Sequence, residues 1–220
     1  MCGRTITVTG RGTVHVVPDV TRVQITIKGL RQEYSDCYEL AKENNQMLSR
    51  IMEGLGLDLK LPKTTNLDID KHEHNVYDKF GHFDHSEFDG YMLSQHIKID
   101  LGMDTELLGK LVQSVGRNLT DAEISIGYTV KDSRPAQIRM LEKAVKDAKE
   151  KAGVMAAAAD CELGDVASIN YSWQELNVYS QSREIHNCEE AKACLSDSLD
   201  ITPDDLAASD DVTVVWTLKD

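Results

Sequence analysis

Residues Asp132–Val166, DSRPAQIRMLEKAVKDAKEKAGVMAAAADCELGDV, form the longest helix this sequence can make. Ala144, Ala148, Ala152 and Ala156 recur at every fourth position and therefore share one face. Ile138, Leu141, Val145, Met155 and Ala159 extend that face into an apolar stripe, and Glu142, Lys143, Lys146, Asp147, Lys149 and Glu150 keep the remainder polar. Pro135 suits a first turn, where its missing N–H is not needed, and Asp132 or Ser133 can cap the free donors. An alanine face lets a helix sit close on a sheet, so this one is expected to lie across the sheet that the other segments build.

Those segments alternate. Residues 5–17, TITVTGRGTVHVV, place Ile6, Val8, Val14 and Val16 on one face together with Gly10 and Gly12, where glycine marks a bulge or a close approach of another backbone. Pro18-Asp19 turns the chain into a second strand, Val20–Leu30, and the pair reads as a hairpin. A helix over about 35–55 follows. Strands over about 64–75 and 88–101 come next, joined by a polar turn containing glycine and histidine, as a second, longer hairpin. A short helix, Thr105–Val115, is capped by Asp104 and ended by Gly116. Strands Ala122–Val130, Val166–Trp173 and Val212–Lys219 complete the pattern. Strands mixed with helices without strict alternation indicate an α+β domain. The expectation is a mixed or antiparallel sheet of about seven strands carrying one long and two shorter helices, within a single domain spanning 1–220. Glu175–Asp210 breaks the pattern and reads as an acidic insertion or loop within that domain.

Charge excludes some functions. The chain carries −13, and Glu189–Asp211 alone holds eight carboxylates against Lys192. Nucleic acid and anionic membrane both require clustered Lys and Arg, so neither is expected as a partner. No apolar run reaches the roughly 20 residues of a membrane helix. The chain passes from Met1 directly into a strand, without a leader-like segment, so a cytoplasmic location is expected. Cys2, Cys37, Cys161, Cys188 and Cys194 are odd in number and form no CxxC pair, and they read as free thiols.

The run Ile6-x-Val8-x-Gly10-x-Gly12-x-Val14-x-Val16-x-Pro18-Asp19 resembles the opening of the SIMPL-domain family. Thr64-Thr65-Asn66-Leu67, Gly90-Tyr91, Asp147-Ala148 with Lys151-Ala152, and Leu163-Gly164-x-Val166 continue the resemblance in order. It covers about residues 5–173 and the last strand. Asp160 departs from it, standing where many members carry a glycine that ends the helix. The resemblance implies an α+β fold, homo-oligomeric assembly in at least some members and a loose link to stress resistance. It supplies no catalytic residues, and it calls for no cofactor.

One cluster could carry chemistry. His72 and His74 project from one strand face with Asp70, and His96 lies on the polar face of the next strand. With the turn centred near Asp84, His96 falls opposite His72, and Asp70, His72, His74 and His96 become a candidate divalent-metal site. Asp68 is then too far along the strand to join it. No HExxH, P-loop or G-x-S-x-G motif is present. With the resemblance, which implies the assembly, the expectation is a non-enzymatic, homo-oligomeric interaction protein of the SIMPL type, with a protein partner as a further expectation. The alternative is a small-ligand or metal-binding module using the His-rich hairpin 68–96.

Overall fold

The computed structural model describes residues 4–119, 121–171, 183–185 and 203–219. Among these residues, three helices and two antiparallel sheets give the α+β class. In chain order the elements are β1 (Thr5–Val16), β2 (Val20–Arg31), α1 (Tyr34–Gly54), β3 (Lys63–Tyr77), β4 (Phe83–Leu101) and α2 (Thr105–Asn118). They continue with β5 (Ala122–Thr129), α3 (Arg134–Ala158), β6 (Glu162–Asn170), the short β7 (Arg183–Ile185) and β8 (Leu206–Lys219). The chain divides into two compact units, one of residues 1–19, 129–180 and 203–220, the other of 20–128 and 181–202.

The first unit is a three-stranded sheet of order β1-β8-β6 under α3. β1 pairs with β8 along its whole length, from Thr5 opposite Thr217 to Val16 opposite Leu206. This corrects the expected hairpin of β1 with β2, which belong to different sheets. Pro18-Asp19 does redirect the chain, but Asp19 is tied to the end of β5: its N–H donates to the Thr129 carbonyl, and its carboxylate accepts from Lys131 N–H. β8 also begins earlier than alternation suggested. Leu206 and Ala208 continue the inward positions of Val212, Val214 and Trp216, so Leu206–Asp210 are strand rather than acidic loop. Residues 175–182 and 186–202 of that segment, and Trp173, lie outside the described residues.

Ala144, Ala148, Ala152 and Ala156 are buried, as their spacing predicts. The stripe is narrower than expected, because Ile138, Met155 and Ala159 are exposed and Ala136, Gln137 and Met140 extend the buried line instead. The cause lies in β1. A Cβ on Gly12 would overlap the Met140 carbonyl, so the backbones of helix and strand are nearly in contact. Only small side chains or those directly in line fit that gap, and bulkier neighbours turn outward. α3 also closes the free edge of β1: Asp147 accepts from Arg11 N–H at 2.7 Å, and Lys143 donates to the Thr13 carbonyl at 3.0 Å. Side chains that occupy edge groups in this way block strand addition there.

The second unit is a five-stranded sheet of order β3-β4-β2-β5-β7, with α1 and α2 packed on one face. Val23, Ile25 and Ile27 of β2, Ile97 and Ile99 of β4, and Ile124 and Ile126 of β5 meet Leu48, Ile51 and Met52 of α1 and Leu108, Leu111 and Val115 of α2. The Asp104 carboxylate caps α2 by accepting from Leu107 N–H. The helix runs through Gly116 to Asn118 rather than ending there, since a lone glycine costs a helix only about 1 kcal/mol.

Candidate functional site

The hairpin of β3 and β4 is the feature that the core does not explain. Its root is an ordinary part of the sheet: Ile69 pairs with Leu93, and Leu93 is fully buried under Cys37 and Ala41 of α1. Beyond Gly90 this changes. His72 pairs with Gly90 and Glu73 with Phe88, so Asp89 is an extra residue bulged out of the ladder. Gly90 is required there. Its φ is 137°, and a Cβ would overlap the carbonyl of Arg31. From this bulge, residues 73–77 and 83–88 project as a two-stranded ribbon, exposed on both faces at every position except the half-buried Val76. The turn at its tip is built on Asp78, whose carboxylate accepts from Phe80 N–H and His82 N–H, with Gly81 at φ 84°. Those bonds hold the Asp78 carboxyl below its ordinary pKa, with the His82 N–H as the main cause.

The ribbon is aromatic. The chain has three phenylalanines, Phe80, Phe83 and Phe88, and all three are exposed here. Tyr77 packs edge-on against Phe83, and Phe88 packs edge-on against Tyr91, which in turn meets Tyr34 of α1. The Lys79 ammonium sits 5.1 Å from the centre of the Phe80 ring. Aromatic rings ordinarily supply a large share of core burial. This protein keeps its phenylalanines out of both cores.

The ribbon is also rich in paired histidines. His72 Nδ1 stands 3.2 Å from Asp89 Oδ2, and His74 lies 3.9 Å from Glu87 and 4.0 Å from Asp89. His82 is 3.4 Å from Asp78, and His85 is 3.2 Å from Asp84. Asp70 pairs with Met92, one step below His72 on the same face. His96 is elsewhere. It pairs with Asn66 and Thr26, its Nδ1 lies 3.0 Å from the Thr26 hydroxyl, and its Nε2 lies 3.3 Å from Ser94 Oγ. It lies six positions along β4 from Gly90, the partner of His72, roughly 20 Å of strand. The expected face-to-face placement of His72 and His96 is therefore corrected: His72 and His74 share Asp89, and His96 is remote from them.

Two carboxylates that the sequence reading passed over, Asp89 and Glu87, are the groups nearest the ribbon histidines. The signal that locates them is the turn. Asp78-x-x-Gly81 is closed by a hydrogen bond from Gly81 N–H to the Asp78 carbonyl, with the glycine left-handed, and centring the hairpin there brings Glu87 opposite His74. Among the described residues, no group of three or more His, Cys, Asp or Glu side chains is gathered closely enough to hold a metal ion. A groove of about 320 Å³ lies between α1 and β3, lined by Tyr38, Lys42, Asn45, Gln46 and Leu67. It is open, and none of the described histidines lines it. No helix among the described residues is long and apolar enough to cross a membrane.

Residues 6–216 match the model of SIMPL, described as a protein of unknown function (DUF541). No curated protein matches the chain.

Proposed function

Because the chain belongs to the SIMPL family, which carries no described activity, we propose from its surface that it is a non-enzymatic interaction protein that self-associates through the β3–β4 ribbon. The observation that carries this reading is the exposure of Phe80, Phe83 and Phe88, together with Tyr77, on a ribbon open on both faces. A two-stranded ribbon is marginally stable alone in water, and large exposed aromatic surface marks contact sites. Aromatic side chains are enriched among the residues that dominate binding energy at interfaces. A second copy is the occupant that this reading requires, because the free edge of β3 offers backbone donors and acceptors to an identical edge related by a two-fold axis. By contrast, the edge of β1 is occupied by Asp147 and Lys143.

Sedimentation velocity at micromolar concentration tests it. The parent is expected to run heavier than the 24.5 kDa chain, and Phe80→Ser/Phe83→Ser/Phe88→Ser to run as a monomer with unchanged far-ultraviolet circular dichroism. A monomeric parent across that range, or an equally associated variant, rejects the reading.

A further inference from the structure

We infer that the second copy adds to β3 edge to edge and antiparallel, about a two-fold axis at His72, so that Lys71 of each copy faces Glu73 of the other. This rests on the self-association reading above and names the register of its contact. β3 is the end strand of its sheet, and from Asn66 to Tyr77 it is uninterrupted, because the extra residues of the hairpin ladder in that stretch, Asp84 and Asp89, lie on β4. A two-fold axis perpendicular to a sheet sets each residue opposite one of the same face, so it passes through a residue position, and that position fixes every opposed pair. Charge separates the choices. An axis at Asp68, Asp70 or Glu73 opposes that carboxylate to its own copy, one at Ile69 opposes Asp68 to Asp70, and one at Lys71 opposes two ammonium groups. Like charges directly opposite destabilise a strand pair. An axis at Leu67 or His74 brings no unlike charges together. At His72, Lys71 and Glu73 are opposed on both sides of the axis, Asp70 meets His74, an N–H donor, and Asp68 meets Val76.

Both groups are available for this pairing. Lys71 stands opposite Tyr91 and Glu73 opposite Phe88 on β4, both are exposed, and neither belongs to an ion pair among the described residues. The same register gives the ribbon's outer end a place on the other copy. Tyr77 falls opposite Leu67, and alternation along β3 puts the two on one face of the sheet, the face that carries α1. Both are exposed in the single chain. The groove of about 320 Å³ between α1 and β3 opens beside Leu67, and Tyr38 and Ala41 supply apolar wall for the incoming ring. The axis repeats each of these contacts, so two Lys71–Glu73 pairs and two Tyr77–Leu67 pairs flank His72.

Sedimentation velocity of the full chain at constant ionic strength tests the register. Lys71→Glu and Glu73→Lys each set like charges opposite on both sides of the axis and are expected to raise Kd by about tenfold or more. Glu73→Lys also makes the acidic chain less negative, so its loss of association is not general repulsion. Lys71→Glu/Glu73→Lys restores both unlike pairs and is expected to return Kd to within about threefold of the parent. A monomeric parent overturns self-association and this register with it. An associated parent whose single reversals change nothing, or whose double reversal binds no tighter than the singles, overturns the register and leaves self-association standing. Cross-linking reads the axis directly. Opposed Cα atoms in an antiparallel pair stand about 4.5–5.5 Å apart, within disulfide range. Under mild oxidation His72→Cys is expected to give covalent dimer well above the parent's own thiols, and Lys71→Cys is not. An associated His72→Cys that forms no such dimer overturns the axis.

Discussion

Gly10 of β1 lies against the backbone of Ala148 on α3, so close that a Cβ at Gly10 would overlap the Ala148 nitrogen and the Ala144 carbonyl. Glycine on the strand and alanine on the helix are two halves of one contact. Enlarging either half must push the two backbones apart. Ala148→Leu is expected to lose about 1–3 kcal/mol by overpacking, and Gly10→Val at least about 2 kcal/mol, because backbone rather than a flexible side chain blocks it. Lys149→Leu, on the exposed side, should stay within about 0.5 kcal/mol. Denaturant titration of the three variants checks this, and equal losses would mean the wrong face is buried.

Asp160 ends α3 in the left-handed region, at φ 55°. Its N–H donates to the Ala157 carbonyl and that of Cys161 to the Ala156 carbonyl, which together form a Schellman cap. A residue with a Cβ is disfavoured in this conformation. Asp160→Gly should therefore stabilise the protein by about 0.5–1 kcal/mol, read as a higher denaturant midpoint with an unchanged slope. Asp160→Val should do the reverse.

Acid sensitivity has a specific location. Lys151 and the Arg11 N–H hold the Asp147 carboxyl below its ordinary pKa, and Arg11 does the same for Asp211. Groups depressed in the folded state stabilise it above their unfolded pKa, near 4. That stabilisation is lost as pH falls through the lower folded value. The slope of stability against pH below about pH 4 should accordingly be shallower in Asp147→Asn/Asp211→Asn than in the parent. Above about pH 6 the two slopes should match, because both carboxyls are then ionised in either state. Thermal denaturation across that range measures it.

Much of this was legible in the chain, and the failures have physical reasons. The alanine spacing located the buried face of α3 because a four-residue repeat has one geometric meaning on a helix. The outward turn of Ile138 and Met155 was not legible, since it depends on how close β1 comes. Alternation placed the apolar residues of β3 and β4 on the correct face and left the register open. A shift by an even number of residues keeps every side chain on its face, so the pattern could not distinguish His96 opposite His72 from His96 opposite Asn66. Only the chemistry of the tip, Asp78 with Gly81, separates those registers. The pairing of β1 with β8 was hidden for another reason: it joins the two ends of the chain, where no local signal operates.

The register gives the metal question a sharp form. If Asp70, His72, His74 and His96 formed one site, losing His96 would weaken zinc or nickel binding as much as losing His72. In the observed pairing His96 lies between Thr26 and Ser94, while His72 and His74 converge on Asp89. His72, His74 and Asp89 are partly exposed, and among the described residues the two rings are faced by Asp89 and Glu87 alone. Binding should be far weaker than at structural zinc sites, which are worth about 10–16 kcal/mol. Any heat in a zinc titration at about pH 7.5 should vanish in His72→Ala/His74→Ala and persist unchanged in His96→Ala. It should also weaken as the solution is acidified, because the metal competes with protons for the same nitrogens. Tight, stoichiometric binding lost with His96→Ala would show that the hairpin pairs in the other register in solution.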